Sequence, residues 1–181
     1  MQSEPTPDPA DMLDLPIADR VSAAVKRYGE PEVIARATAL LAGVNAGEEF
    51  LLYAGGRHAK GVLDGAPPLY WPELWGARAL LYVWADSAVP AVVAGLDNQA
   101  WRVREMCARV SQERKLEVAA KLVELTADDV PRVRSAALRA LAEVGAAEHS
   151  ETIASLLRDP DKDVRRTAQQ SRDAMRERLR D

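Results

Sequence analysis

The residues of this chain best equipped for chemistry are its arginines, nineteen against five lysines, and several recur in a fixed phrase. The phrase is a Leu, an Asp within three positions, a short gap, then Val-Arg and a small residue three after the Arg. Its copies are Leu96-Asp97…Val103-Arg104…Cys107, Leu125…Asp128…Val133-Arg134…Ala137 and Leu157…Asp159…Val164-Arg165…Ala168. The Val-Arg pair returns after 30 and then 31 residues, and a weaker copy, Ala77-Arg78…Leu81, lies 26 residues upstream. An Arg in the same slot of every copy can reach the carboxylate or carbonyls of a neighbouring turn. Arg78, Arg104, Arg134 and Arg165, with Asp97, Asp128 and Asp159, are therefore expected to form a structural ladder that ties successive rungs.

A second set of arginines repeats without an obvious structural demand. Arg102 and Arg132 each precede the Val, and Arg109 and Arg139 follow seven residues later, two helical turns on. Arg166 adds to them from a different slot. These five are candidates for a basic partner-binding stripe. The competing reading is a solvated face that shares its charge with Glu105, Glu113 and Glu143. The aromatics also cluster: Tyr70, Trp71, Trp75, Tyr82 and Trp84 fall within fifteen residues. Trp101 stands three before Arg104, as Trp75 stands three before Arg78. Trp71 and Trp75 either fill a core or line a groove for a peptide or a base.

Sets that make or break bonds are missing from the sequence. The two histidines, His58 and His149, are followed by Ala59 and Ser150 and form no ligand pair. No phosphate-binding glycine loop, nucleophile elbow or metal spacing occurs. Cys107 is the single cysteine, which excludes an intramolecular disulfide and a multi-cysteine metal site. It takes the slot of Ala137 and Ala168 and is expected to be a small buried hydrophobe. The expectation is a protein that is not an enzyme and uses no cofactor or metal.

The elements that must position these residues follow from composition and punctuation. Hydrophobic residues make up 48% and aromatics 5%, which suits cores of Ala, Val and Leu between closely packed helices. The net charge of −4 divides unevenly: residues 1–100 carry seven bases and thirteen acids, residues 101–181 seventeen and fifteen. Neither part has the excess expected of a dedicated nucleic-acid binder. No run of about 18 apolar residues suggests a membrane span. The start lacks the basic and apolar regions of a secretory signal, and a cytoplasmic location is the default.

Residues 1–16, acidic and holding Pro5, Pro7, Pro9 and Pro16, read as a disordered tail. Residues 17–55 read as a helical cap of three helices. The first carries Val21, Ala24, Val25 and Tyr28 and ends at Gly29. The second opens at Pro31 and runs through Leu40, Leu41 and Val44, and the third stops at Gly55-Gly56. The glycines and prolines of 56–72 predict a long loop. From 73 to 181 the pattern is helix–turn–helix. Val133, Ala137, Ala140, Leu141 and Val144 share one face, Gly145 closes that helix, and Ser150 is placed to cap the next. The preceding helix is expected to bury Leu116, Ala119, Ala120 and Val123.

Over 73–181 the chain resembles the HEAT repeat, in particular the short bacterial variety named after phycobilisome lyases. The resemblance implies an all-α fold: a right-handed α-solenoid of helix pairs, with an Asp in the turn within each pair and Val-Arg opening the second helix. It also implies a concave face lined by the second helices and a non-catalytic scaffold that binds a protein there, with an acidic segment of the partner as the expected contact for the basic stripe. The first copy departs from the pattern, with Ala77 for Val and no Asp before it. A nucleic-acid-associated relative, such as the HEAT-like DNA glycosylases, is the alternative and disagrees with the charge balance. The HEAT-like di-iron hydroxylases need His-Glu pairs that this chain lacks.

Overall fold

The structure, a computed structural model, describes residues 8–180. Among the described residues it contains ten α-helices, short 3-10 turns and no strand. The chain divides into two compact units, the first ending at Val92 and the second beginning at Val93.

The first unit holds α1 (Ile17–Tyr28), α2 (Glu30–Leu41), α3 (Glu48–Leu63) and α4 (Trp71–Ala79). Gly29, at φ 82°, ends α1 where a side chain would be strained, and Pro31 sits in the first turn of α2. Val21 and Ala24 of α1, Val33, Ala37 and Leu40 of α2, and Phe50 and Tyr53 of α3 form the core. Helix α4 packs on α2 and α3. Its Gly76 lies so close to α2 that a Cβ there would stand 2.5 Å from the Ala37 carbonyl oxygen. Only glycine permits that approach.

Three expectations for this unit need correction. The proposed tail reaches only partly into the described residues, since 1–7 lie outside them. Within the rest, Pro9–Met12 is a 3-10 turn capped by the Asp8 side chain, and Met12 is buried. The proposed loop at 56–72 is helix as far as Leu63, and only 64–70 are irregular. Gly56 kinks α3 without ending it. Its φ of 59° breaks the helical path, and the Arg57 N–H donates to the Leu13 carbonyl. The carbonyls of Tyr53 and Ala54 then accept from the buried Arg20 guanidinium. A helix break that a sequence pattern reads as a terminus is thus satisfied internally. Third, α2 stops at Leu41, leaving Val44 exposed. The seam expected near 56–72 is therefore no seam, and α4, taken for the start of the array, belongs to the first unit.

In the second unit, α6 (Trp101–Glu113), α8 (Pro131–Val144) and α10 (Lys162–Arg178) pack side by side. The shorter α7 (Ala119–Leu125) lies against α8, and α9 (Ser150–Ser155) against α10. Helix α5 (Val89–Gly95) spans the division. Val103, Val133 and Val164 of the repeated phrase are all fully buried, and so are Cys107, Ala137 and Ala168 three residues after each Arg. The face expected on α8 is observed, with Val144 at its half-buried edge. Two details differ. Helix α7 buries Leu122 and Leu125, while Ala120 is exposed, because the helix starts at Ala119 and turns the later residues inward. Ser150 does not cap α9 by accepting an N–H; its hydroxyl donates to the Ala147 carbonyl.

Candidate functional site

Two phrase arginines of the second unit, Arg104 and Arg134, are held from two sides. Arg134 donates through Nη1 to the carbonyls of Asp128 (2.8 Å) and Asp129 (3.3 Å) in its own turn. Its Nε and Nη2 form two parallel bonds of 2.8 Å to the carboxylate of Asp159 in the following turn. Arg104 repeats the arrangement, with carbonyls of Asn98 and Gln99 on one side and the Asp128 carboxylate on the other at 2.7 and 3.1 Å. Both carboxylates are almost fully enclosed, at 7% side-chain exposure. Each also accepts a backbone N–H two residues on, from Val130 and Asp161. One carboxylate thus shapes its own turn and binds the Arg of the preceding rung. The bidentate geometry is the strong form of this contact.

The ionisation of Asp159 follows. Burial pushes its pKa up, but the hydrogen bonds from Arg134 and the Asp161 N–H, with the charges of Arg134 and Arg165, hold it below the ordinary carboxylate value. Hydrogen bonding to Asp159 likewise raises the pKa of Arg134. Cys107 behaves as expected of a buried hydrophobe, with desolvation pushing its thiol up to about 12.

Two ladder assignments are corrected. Asp97 points away and pairs with Lys121 at 3.0 Å on an exposed surface. The equivalent of Asp128 and Asp159 is Asn98, six residues before Arg104, whose side chain accepts the Ala100 N–H in the same turn geometry. The phrase admitted an Asp at any of several positions, and the fixed distance to the Arg was the better guide. Arg78 is exposed on α4 and makes no ion pair among the described residues. Its 26-residue offset belongs to a different register. Arg165 keeps half of the pattern, donating to the carbonyls of Asp159 (2.7 Å) and Pro160 (2.9 Å).

The stripe arginines are brought together in part. Arg132, Arg139 and Arg166 line one groove of about 340 Å³ across α8 and α10. Glu105, Asp161 and Asp163 line the same groove. Arg132 donates to Glu105 at 3.0 Å, Arg166 to Asp163 at 2.8 Å, and Arg139 reaches the Thr167 hydroxyl at 3.4 Å. Arg102 lies over the Trp101 ring at 4.3 Å, and Arg132 lies 5.4 Å from the same ring. Arg109 is exposed on α6. The stripe is therefore a line of alternating charge with a half-buried indole at one end. Glu105 takes the charge-sharing place that the competing reading gives it, and Trp101 joins the stripe, which the sequence reading does not expect. The spacing of Trp101 one residue before Arg102 and of Glu105 one turn later held that signal.

Trp71 and Trp75 lie in the first unit. Trp75 is 3% exposed and packs against Gly55, so its indole faces no solvent. His58 fits edge-on against both rings, 4.2 Å from Trp71 and 5.3 Å from Trp75. Of the two aromatic readings, Trp75 follows the core-filling one, and Trp71 is half-buried at its margin. Among the described residues no helix is long and apolar enough to cross a membrane.

The repeated Arg–Asp tie, the paired helices and the 30- to 31-residue step define a helical-repeat protein. Residues 119–177 match the family model of HEAT repeats. The second unit carries such repeats over that stretch, and HEAT repeats commonly mediate protein–protein interaction. A search of curated proteins finds no match to the chain.

Proposed function

We propose that the chain is a non-catalytic binding module that holds a protein partner on the face made by α6, α8 and α10, acting without a cofactor. The observation that carries this reading is the alternation of charge along the groove. Three arginines and three carboxylates share it, with Glu105 largely enclosed at 15% side-chain exposure beneath Arg132. A surface of alternating sign selects a polar protein surface by register. A polyphosphate backbone asks instead for an unbroken positive field. Trp101, flanked by two guanidiniums, is the aromatic anchor of the kind that dominates protein interfaces. Arg102, Arg109, Arg132, Arg139 and Arg166 keep their assigned part as contact residues. The proposal takes the array as a right-handed solenoid of the short phycobilisome-lyase type, on the strength of the repeated phrase, and places it in the cytoplasm only as the default for a chain without a recognised signal.

The test reverses Arg102, Arg132 and Arg139 to Glu together and compares capture of source-cell proteins by the two forms, identified by mass spectrometry. The expected result is a discrete protein retained by the wild type and lost by the variant, at unchanged melting temperature. Duplex DNA and single-stranded RNA are offered in parallel across a salt series. Retention of the same protein by the variant, or tight salt-sensitive nucleic-acid binding, contradicts the reading.

A further inference from the structure

Two apolar side chains of the first unit are held outside its core by turns that could have done without them. After α2, Gly43 at φ 74° turns the chain so that the Val44 N–H donates to the Ala39 carbonyl at 2.8 Å. At such a helix end the residue after the glycine ordinarily folds back as an apolar contact. Val44 is instead 57% exposed. In the 64–70 segment the Trp71 N–H donates to the Pro68 carbonyl at 3.0 Å, closing a turn. That turn holds Leu69 at φ 47°, where glycine is favoured. Leu69 is 69% exposed, the most of any large hydrophobic among the described residues. Folding gains nothing from a leucine in that conformation and in water.

Val44 and Leu69 border one groove of about 410 Å³, which Leu51 and Val62 of α3 also line. Its size is that of a ligand cleft. Glu48, at the start of α3, and Glu73, in the first turn of α4, line it too, and no Lys or Arg does. A Cβ on Gly43 would stand 3.9 Å from the Glu73 carboxylate, so that charge sits beside the Val44 turn. Neither carboxylate has an ion-pair or hydrogen-bond partner among the described residues, whereas the adjacent Glu49 binds Arg27 and Tyr28. An apolar patch rimmed by polar groups marks an interaction site. The sign of this rim is negative.

We infer that the groove is a docking surface for a segment of another protein that carries a large apolar residue flanked by Lys or Arg. The apolar side chain fills the groove, and its basic neighbours meet Glu48 and Glu73, which fixes the register. A small molecule seated in the groove would leave Val44 and Leu69 wet, while a peptide crossing it covers both. Residues 1–7 of the same chain carry one acid and no base, so they lack the charge the rim asks for. The groove shares no residue with the α6–α8–α10 surface.

The probe is a library of random peptides displayed on phage and selected on the full chain. Enriched peptides are resynthesised with fluorescein and titrated by anisotropy. The expected set joins a large apolar residue to flanking Lys or Arg. Its binding should weaken at least about tenfold in Leu69→Gly, and about tenfold when Glu48→Gln and Glu73→Gln are combined. Glycine relieves the positive φ, so Leu69→Gly should keep the wild-type melting temperature. Should it melt lower, the glutamine variant decides alone. The chain with Arg102, Arg132 and Arg139 reversed to Glu should bind these peptides as the wild type does, which separates this surface from the proposed function. No enrichment of such peptides, or full binding by the glutamine variant, overturns the inference. Self-association of the chain that Leu69→Gly abolishes makes the occupant a second copy and overturns it equally.

Discussion

Each unit encloses an arginine, and each solves the problem in its own way. In the first unit Arg20, 9% exposed, has no carboxylate. Its fork is spent on the carbonyls of Leu15, Tyr53 and Ala54, two of them freed by the kink at Gly56. Desolvation, with the charge of Arg78, pulls its pKa below the usual guanidinium value. In the second unit Arg134 is paired to a carboxylate as well as to carbonyls, and its pKa moves the other way. The first solution repairs a single break in one helix. The second is reusable, because the aspartate that receives one arginine also builds the turn that carries the next. In a repeat array stability is close to a sum of such nearest-neighbour terms.

The contrast is sharpest where backbone replaces side chain. Gly76→Val should destabilise the first unit by about 3–5 kcal/mol, since a side chain would push into the Ala37 carbonyl and the Leu41 nitrogen. The readout is fluorescence unfolding in urea, to which Trp71, Trp75 and Trp84 all report from that unit. A wild-type midpoint would mean that α2 and α4 do not approach so closely.

The ladder comes next. Arg134→Ala removes four hydrogen bonds and leaves an enclosed carboxylate unpaired, at a cost of about 3 kcal/mol. Arg134→Lys should recover only part of it, because an ammonium cannot span both carboxylate oxygens.

How much of this was legible in the sequence depended on periodicity. The slots of Val133, Ala137 and Arg134 could be read because three copies voted on each. Even there the phrase points to Asp97 where the structure uses Asn98, since it leaves the acid's distance from the Arg loose. The first unit offered no second copy. Gly56 in a run with Gly61 and Gly65 looked like a loop, and only the Arg20 side chain, 36 residues away in sequence, turns that break into a kink. Trp75 stays open between core and groove in the sequence, because aromatic spacing does not reveal burial. Trp101 and Glu105 are both visible in the sequence, but their cross-helix contact with Arg132 is not.

Acidity separates the two arginines further. Asp159 has a lowered pKa in the folded chain, so the stability it contributes is present above the unfolded carboxylate value of about 4 and is lost as pH falls through the lower folded value. Unfolding of the second unit should therefore ease below about pH 4, and Asp159→Asn should flatten that dependence. Arg20, having no carboxylate, gives the first unit no matching step. The smallest effect is expected at Asp97. Its exposed pair with Lys121 lies outside the ladder, and Asp97→Asn should leave the melting temperature unchanged.

The most direct test uses Cys107, fully buried in the second unit and kept as a thiol by burial. The rate at which an aromatic disulfide reagent reaches it under native conditions reports the opening of that unit. Measured for the wild type, Arg134→Ala, Asp159→Ala and the double variant, it gives the coupling between the two side chains. The ladder account predicts a coupling of about 2 kcal/mol, with the double variant little worse than either single one. Additive losses, with coupling near zero, would show that the recurring arginine does not tie the rungs.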